Sequence, residues 1–234
     1  PETAIPRFLD LVDPGYLESL ERLAATASAD LLIGAPLRDR SGAYYNAMVT
    51  LGTSPSQAYR KSHLVPFGEF IPPGFGWVLD LLRIPLSDFS RGLSDQKPLQ
   101  LAGGARVAVN ICYEDVFGEE LIRSLPEATL MLNLSNLAWY GDSFAQPQHL
   151  QIARLRALET GRPMLRSTNT GMTALISPDG AVQAVLPPFE AGALHVEVRG
   201  YQGLTPYARW GNGPAVGAAL VVVALAFAAV RRRD

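Results

Sequence analysis

The C-terminal end of the chain carries an apolar segment that a water-soluble fold accommodates poorly. Residues 214–230 form a run of 17 residues without a charge, and Arg231, Arg232 and Arg233 follow at once. As an α-helix this run extends roughly 25 Å, close to the thickness of the hydrocarbon core of a bilayer. A buried core helix is the alternative, but such a helix usually keeps a polar face. We therefore predict a transmembrane helix over residues 214–230 and a cytoplasmic basic end over residues 231–234.

The two ends of the chain also predict where the rest of the protein lies. Arginine-rich flanks of a membrane helix tend to stay in the cytoplasm, so the residues before the helix are expected on the opposite side. The chain begins with "PETAIPRFLD", without an initiator Met or a signal peptide. We interpret it as the C-terminal part of a longer membrane protein, with the first strand of its domain missing upstream. Residues 206–213 are expected to form the junction to the helix.

Composition excludes several classes of function. The 234 residues are 48% hydrophobic, which is enough for a substantial core. Lys and Arg number 20 against 22 Asp and Glu, so there is no basic excess of the kind that favours nucleic acid binding. One cysteine excludes an internal disulfide, and His63, His149 and His195 lack zinc-ligand spacing. We expect no nucleic acid partner, no metal and no cofactor.

Alternating strand and helix patterns predict a layered α/β fold. The runs "DLLIGAPL", "YYNAMVTLG", "ARVAVNIC" and "ATLMLNLSN" are typical of buried strands, and "AQPQHLQIARLRALETGRP" of a helix that ends at Gly161. A hairpin turn is predicted over residues 177–180. This order of elements favours an α/β sandwich over a barrel.

One long segment, Ile71–Gly92, has no settled period and is rich in Pro, Gly and large apolar residues. We predict a functional loop here, whose apolar part, Ile71–Leu86, either enters lipid and covers an apolar substrate or packs onto the domain itself. Phe75, Trp77 and Leu79 are the residues expected to form such a lid. Trp139 and Tyr140 leave a similar choice open between core packing and lining an acyl pocket.

Cys112 ends a predicted strand and precedes "EDVFGEELIRSL", which has a helical pattern. A thiol at the start of a helix meets the positive end of the helix dipole and N–H groups placed to bind an oxyanion. Position alone leaves open whether Cys112 is a nucleophile or an inert core residue, the commoner case. A nucleophile would also need a base, for which a carboxylate, a lysine or a distant histidine is available.

Several blocks of the sequence resemble a known family. "PE" at the start, "YRKSHLVPFGE" around Lys61 and "NICYED" around Cys112 stand in the order found in nitrilase-type Glu-Lys-Cys enzymes. With "NLSNLAWYGDSFAQPQHLQIARLRALETGRPMLRSTNTGMTALISPDG" and "GLTPYARWGN", the chain is similar to the apolipoprotein N-acyltransferase family over residues 1–230. The resemblance implies a nitrilase-like α-β-β-α sandwich over residues 1–205 and a C-terminal transmembrane helix. One departure is Asn136-Leu137, where that family commonly has Asn-Asp.

The resemblance also implies roles for particular residues. The implied catalytic residues are a general base, an oxyanion-stabilising lysine and a nucleophile: Glu2, Lys61 and Cys112. The implied supporting residues are one that orients the lysine, one that offers its N–H to the oxyanion and one that positions substrate: Glu69, Tyr113 and Glu114. His63 and His149 are expected to be structural, because the implied scheme does not require them.

The implied activity is acyl transfer at a membrane. A fatty acyl chain would pass from a phospholipid to the Cys112 thiol as a thioester, and then to the α-amino group of an N-terminal diacylglyceryl-cysteine of an apolipoprotein. The implied partners are these two substrates, the membrane and an upstream transmembrane region, and the implied location is the periplasmic, extracytoplasmic face of a bacterial inner membrane. A membrane-tethered amidase that hydrolyses a small carbon–nitrogen substrate and a non-catalytic assembly module remain as alternatives.

Overall fold

Two β-sheets form the centre of the protein. A computed structural model describes residues 1–72, 74 and 88–231. The first sheet is antiparallel and contains three strands: β1 (Asp30–Arg38), β2 (Tyr44–Gly52) and β3 (Ala58–Arg60). The second sheet is mixed and contains, in spatial order, β4 (Leu99–Gln100), β5 (Arg106–Ile111), β6 (Leu130–Ser135), β7 (Met164–Thr168), β8 (Ala174–Ile176) and β9 (Val182–Val185). Strands β5, β6 and β7 are parallel and the other pairs are antiparallel.

Helices and short 3₁₀ turns connect these strands. The described α-helices are α1 (Pro14–Thr26), α2 (Gly118–Leu121), α3 (Ala145–Thr160), α4 (Pro206–Trp210) and α5 (Gly213–Arg231). The 3₁₀ turns are Leu9–Leu11, Cys112–Val116, Ile122–Ser124 and Ala138–Tyr140. Helix α1 starts where Asp13 accepts a hydrogen bond from the Tyr16 N–H, and α3 ends at Gly161 with a positive φ of 63°.

The side chains of β5 show how the layers stack. Val107, Val109 and Ile111 cluster with Met48 of β2, so they fill the space between the two sheets. Ala108 points the other way and packs with Ala153 and Ala157 of α3, among other residues. Both faces of β5 are therefore buried, as expected for a strand in the parallel part of a sheet. Helix α1 packs on the first sheet, which completes the predicted α-β-β-α sandwich.

The segment after Cys112 differs from its prediction. A helix was expected to start at the thiol, but the backbone forms a 3₁₀ turn over Cys112–Val116 and then the one-turn helix α2. Asp115 within this turn is fully buried and faces His149 and Arg166. Phe117 then leaves helical geometry, with φ −99° and ψ 78°. A single 3₁₀ turn provides a much weaker dipole than the predicted helix, because fewer peptide units are aligned.

The C-terminal helix α5 is one residue longer at each end than the predicted 214–230. An 18-residue stretch of this helix has a mean hydropathy of 2.3, and all 19 of its residues are exposed. The junction 206–213 is not an irregular linker, because it contains α4, whose first turn Thr205 caps by accepting from the Ala208 N–H. The Asn212 N–H binds Glu119 at 2.9 Å, which ties the base of α5 to the domain.

Phe75, Trp77 and Leu79, and nearly all of Ile71–Leu86, lie outside the described residues.

Candidate active site

Lys61 lies at the centre of a buried charged cluster beside the end of β3. Its side chain is 1% exposed, and its Nζ lies 2.9 and 2.8 Å from the two carboxylate oxygens of Glu69 and 3.5 Å from Glu2 Oε1. Burial alone lowers the pKa of Lys61, but the charges of Glu2 and Glu69 outweigh it and raise this pKa above its ordinary value. Lys61 is therefore a fixed cation.

Glu2 is buried, so it is not the exposed terminal residue that its position in the sequence would allow. Its Oε1 accepts a hydrogen bond from Asn46 Nδ2 at 2.7 Å, and its Oε2 accepts one from the Asn136 N–H at 2.8 Å. The terminal segment reaches this place by crossing β1 at Gly34, where a Cβ would lie 2.4 Å from the Pro1 carbonyl oxygen. Only glycine allows so close an approach.

Asn46 is a member of the site that the sequence did not reveal. It is a buried residue of β2, and its Nδ2 lies 2.7 Å from Glu2 Oε1 and 2.7 Å from Glu69 Oε1. One amide group thus donates to two carboxylates that both flank Lys61. One feature of the sequence could have pointed to Asn46: its side chain lies on the same face of β2 as the buried Met48 and Thr50. A buried amide needs hydrogen-bond partners, so this position indicates polar side chains nearby.

Cys112 lies next to this cluster, at the end of β5, with a positive φ of 52°. Burial raises the pKa of its thiol, and the charge of Glu2 adds to that rise, while Lys61 opposes it; the result is a pKa of about 12. A 3₁₀ turn stands where the helix whose dipole was expected to favour the thiolate was predicted, and burial dominates the pKa instead. The resting thiol is protonated at neutral pH, so its chemistry requires a base.

Glu114 is not among the side chains that bind Lys61 Nζ. Its buried carboxylate accepts hydrogen bonds from the N–H groups of Ser62, His63 and Ile111, and from the Tyr59 hydroxyl. These bonds connect the segment after Lys61 to the strand that ends at Cys112. Burial nevertheless raises the pKa of Glu114 above its ordinary value. This geometry favours a clamp between lysine and cysteine over the implied contact with substrate.

The remaining predicted residues lie around this core. The Tyr113 ring packs edge-on against Phe117, at 5.1 Å between centroids, and its N–H belongs to the first 3₁₀ turn after the thiol. Trp139 and Tyr140 are 83% and 58% exposed, so they are not core aromatics. Leu137, at the position of the departure from the family pattern, is buried and lies against Gly171.

In this sandwich a lysine lies between two glutamates and beside a cysteine at the end of a strand. This arrangement can be compared with those of known protein families. Residues 1–207 match the model of the carbon-nitrogen hydrolase family, and the chain belongs to that family. A crystal structure of a carbon-nitrogen hydrolase from Helicobacter pylori G27 has the same fold, with a TM-score of 0.60 and 17% identity over 76% of this chain and 64% of that one.

Two curated relatives are more similar in sequence. An apolipoprotein N-acyltransferase from Nitrosomonas europaea is 56% identical over 215 residues, which cover 91% of this chain and 43% of that protein. An apolipoprotein N-acyltransferase from Ralstonia nicotianae is 50% identical over 238 residues, 99% of this chain and 45% of that protein. The chain thus spans somewhat less than half the length of these relatives, and the predicted resemblance is confirmed.

Proposed function

We propose that this chain is the catalytic domain of an apolipoprotein N-acyltransferase. It transfers a fatty acyl chain from a phospholipid, through a thioester on Cys112, to the α-amino group of the N-terminal diacylglyceryl-cysteine of a lipoprotein. The observation that carries the proposal is the coupled cluster of Glu2, Lys61 and Cys112, in a chain that is 56% identical to a relative of that name.

In the first half-reaction Glu2 takes the proton from the Cys112 thiol, and the sulfur attacks the ester carbonyl carbon of the phospholipid. A C–S bond forms, and the carbonyl oxygen becomes an oxyanion that the Lys61 ammonium and the Tyr113 N–H stabilise. When the oxyanion collapses, the C–O bond breaks. The leaving alkoxide takes the proton from Glu2 and departs as lysophospholipid.

In the second half-reaction the neutral α-amine of the lipoprotein attacks the thioester carbonyl. As the C–N bond forms, the nitrogen becomes positively charged and more acidic, and Glu2, which is ionised again, takes its proton. The Cys112 thiolate then leaves. The proton passes from Glu2 back to the thiolate, which restores the starting state. Because the pKa of the thiol is about 12 in this site, the proton return is strongly favoured at neutral pH. This cycle gives ping-pong kinetics.

Lys61 suits the oxyanion role because of its surroundings. Glu69 holds its Nζ with both carboxylate oxygens, and Asn46 fixes Glu69 and Glu2 relative to each other. The ammonium is therefore in place before any negative charge develops. Preorganised charge of this kind stabilises a transition state without reorganisation during the reaction.

Helix α5 supports a membrane location. We propose that it spans the inner membrane, with the domain on the periplasmic face and Arg231–Arg233 in the cytoplasm. An apolar helix of 19 exposed residues has no protein partner in the described part of the chain, and lipid would cover it. An arginine in place of Val222 should reduce stable insertion, because it adds about 2.5 to 3.5 kcal/mol at the centre of a helix. Carbonate extraction measures this in a fusion of residues 206–234 to an exported soluble reporter, where no other membrane segment anchors the protein, and Val222→Leu is the matched control.

The space between the two sheets supports the proposal that the catalytic domain contains a further strand. A cavity of about 560 Å³ lies against the inner face of β6 and β7, and Leu132, Leu134 and Leu165 are among its lining residues. Among the described residues, the sheet of β1–β3 has fewer strands than the sheet it faces, and no described strand covers this apolar surface. We propose that a further strand of the same polypeptide, outside residues 1–205, pairs at the edge of β1 and covers it.

Intact-mass spectrometry after incubation with phospholipid tests the acyl transfer. The full gene product, with any residues that precede Pro1, should gain one fatty-acyl mass that hydroxylamine removes, and a diacylglyceryl-cysteine peptide should discharge it. The Cys112→Ala variant should gain none. A folded, lipid-saturated sample without the adduct contradicts the proposal. Hydrolysis of small amides in that sample would point to the amidase instead, and no reaction of either kind to an assembly module.

A further inference from the structure

A second buried charged cluster lies behind the nucleophile, and the mechanism above does not use it. It consists of Asp115 from the 3₁₀ turn, His149 from α3 and Arg166 from β7, and all three residues are buried. His149 Nε2 lies 2.8 Å from Asp115 Oδ1, Arg166 Nη1 lies 3.3 Å from Asp115 Oδ2, and Arg166 Nη2 lies 3.2 Å from His149 Nδ1.

The contacts of His149 fix its tautomer. A guanidinium group only donates hydrogen bonds, so His149 Nδ1 must accept the bond from Arg166 Nη2. Its ring proton therefore sits on Nε2, where it is donated to Asp115 Oδ1 and to the Cys112 carbonyl oxygen at 3.3 Å. Arg166 and Asp115, which also pair with each other, thus hold the imidazole at its two ring nitrogens.

The Cys112 carbonyl has a second buried donor. Asn133 Nδ2, from β6, lies 3.3 Å from the same oxygen. Two side chains from the interior thus hold the peptide that joins Cys112 to Tyr113. They also support a backbone with a φ of 52° at Cys112, a conformation that costs a non-glycine residue energy and persists only when its surroundings impose it.

Fixing this carbonyl also fixes the N–H on the other side of the peptide. In a planar trans peptide the C=O and N–H bonds point in opposite directions. A Cys112 carbonyl directed at His149 and Asn133 therefore directs the Tyr113 N–H away from the interior. The first N–H groups of a helical turn have no acceptor inside the turn, so the Tyr113 N–H has none within Cys112–Val116.

We propose that His149, held by Asp115 and Arg166, is a positioning residue that aims the Tyr113 N–H at the oxyanion formed on Cys112. This inference rests on the proposed roles of Cys112 and Tyr113. His149 itself touches no reacting atom, and the residue acts only through the orientation of one peptide group.

Two reactions of the same thiol distinguish positioning from a general structural role. Acylation by p-nitrophenyl butyrate passes through an oxyanion, and the burst of nitrophenolate reports its rate. Alkylation by iodoacetamide needs the thiolate but forms no oxyanion. Both are measured on the full gene product in detergent, with His149→Asn and His149→Gln as the paired variants. Glutamine places an amide nitrogen near the position of Nε2, and the shorter asparagine reaches only the position of Nδ1.

His149→Asn should lower the acylation rate about 10- to 100-fold and change the alkylation rate by less than about threefold. Only acylation uses the Tyr113 N–H, which this variant no longer orients. His149→Gln should restore most of the acylation rate. The same exchanges at His195, an exposed histidine, should change neither reaction.

Three outcomes overturn the inference: an equal loss of both reactions, no loss of acylation, or a glutamine variant no faster than asparagine. A burst with nitrophenyl ester but no transfer from phospholipid overturns the proposed lipid substrate and leaves His149 in its role. If the unaltered protein shows no burst, the nucleophile and this inference fail together.

Discussion

Replacing Glu2 with glutamine tests how the Cys112 thiol loses its proton. Burial and the charge of Glu2 raise the pKa of this thiol to about 12, although Lys61 opposes them. At pH 7.5 only a very small fraction of such a thiol is ionised, so attack by spontaneously formed thiolate is slow. A carboxylate in the same cluster avoids this limit by taking the proton as the C–S bond forms. Glu2→Gln should therefore lower the acylation rate at pH 7.5 by about 100- to 10,000-fold.

The pH dependence of the acylation rate in Glu2→Gln distinguishes attack by free thiolate from attack assisted by a base. Without a general base the rate follows the thiolate fraction, so in Glu2→Gln it should rise about tenfold per pH unit as long as the pH is below the Cys112 pKa. Because Glu2 itself contributes to the raised pKa, its removal lowers that pKa, and the rise should level off below pH 12. The unaltered protein should lack this steep rise at neutral pH.

The burst rate with p-nitrophenyl butyrate between about pH 6 and pH 10 is the assay. Glu190→Gln, an exposed carboxylate, is the matched control and should leave the rate unchanged. If Glu2→Gln keeps a rate within about threefold of the unaltered protein at pH 7.5, Glu2 is not the base.

Three further predictions concern other buried polar side chains of the site. Lys61→Met should abolish measurable acylation and destabilise the fold by about 3 to 5 kcal/mol, because it leaves Glu2 and Glu69 buried without a cation. Thermal unfolding measures the loss of stability, and adding Glu69→Gln to this variant should recover part of that stability. Asn46→Leu should lower the free energy of unfolding by about 1 to 3 kcal/mol, because the carboxylates of Glu2 and Glu69 lose a hydrogen-bond donor. The acylation rate of this variant should also fall, and an unchanged rate would contradict the bridging role of Asn46. For Glu114, burial raises the pKa above its unfolded value, so the folded state gains stability as the pH falls through that raised pKa. Glu114→Gln cannot take up the proton, so its melting temperature relative to the unaltered protein should decrease as the pH is lowered toward the ordinary range of a glutamate pKa.

The strands and the long helix could be predicted because their patterns are local. The run "YYNAMVTLG" became β2 without a change of boundary, and Gly161 ends α3 because its positive φ suits glycine. The apolar C-terminal run became one exposed helix. The helix expected after Cys112 failed because tertiary contacts overrode its periodicity, as Asp115 turned inward toward His149 and Arg166.

The sequence by itself predicted the central strands, the apolar C-terminal helix and, through the resemblance, Glu2, Lys61, Glu69 and Cys112 as site residues. These follow from short-range patterns and from motif blocks that can be read one at a time. Only the tertiary structure decided what surrounds them, such as the Asn46 bridge between two glutamates 67 residues apart in the chain. It also decided that the thiol is protonated at rest, because a pKa depends on burial and on charges brought close by the fold, and neither quantity is a property of a local stretch of sequence.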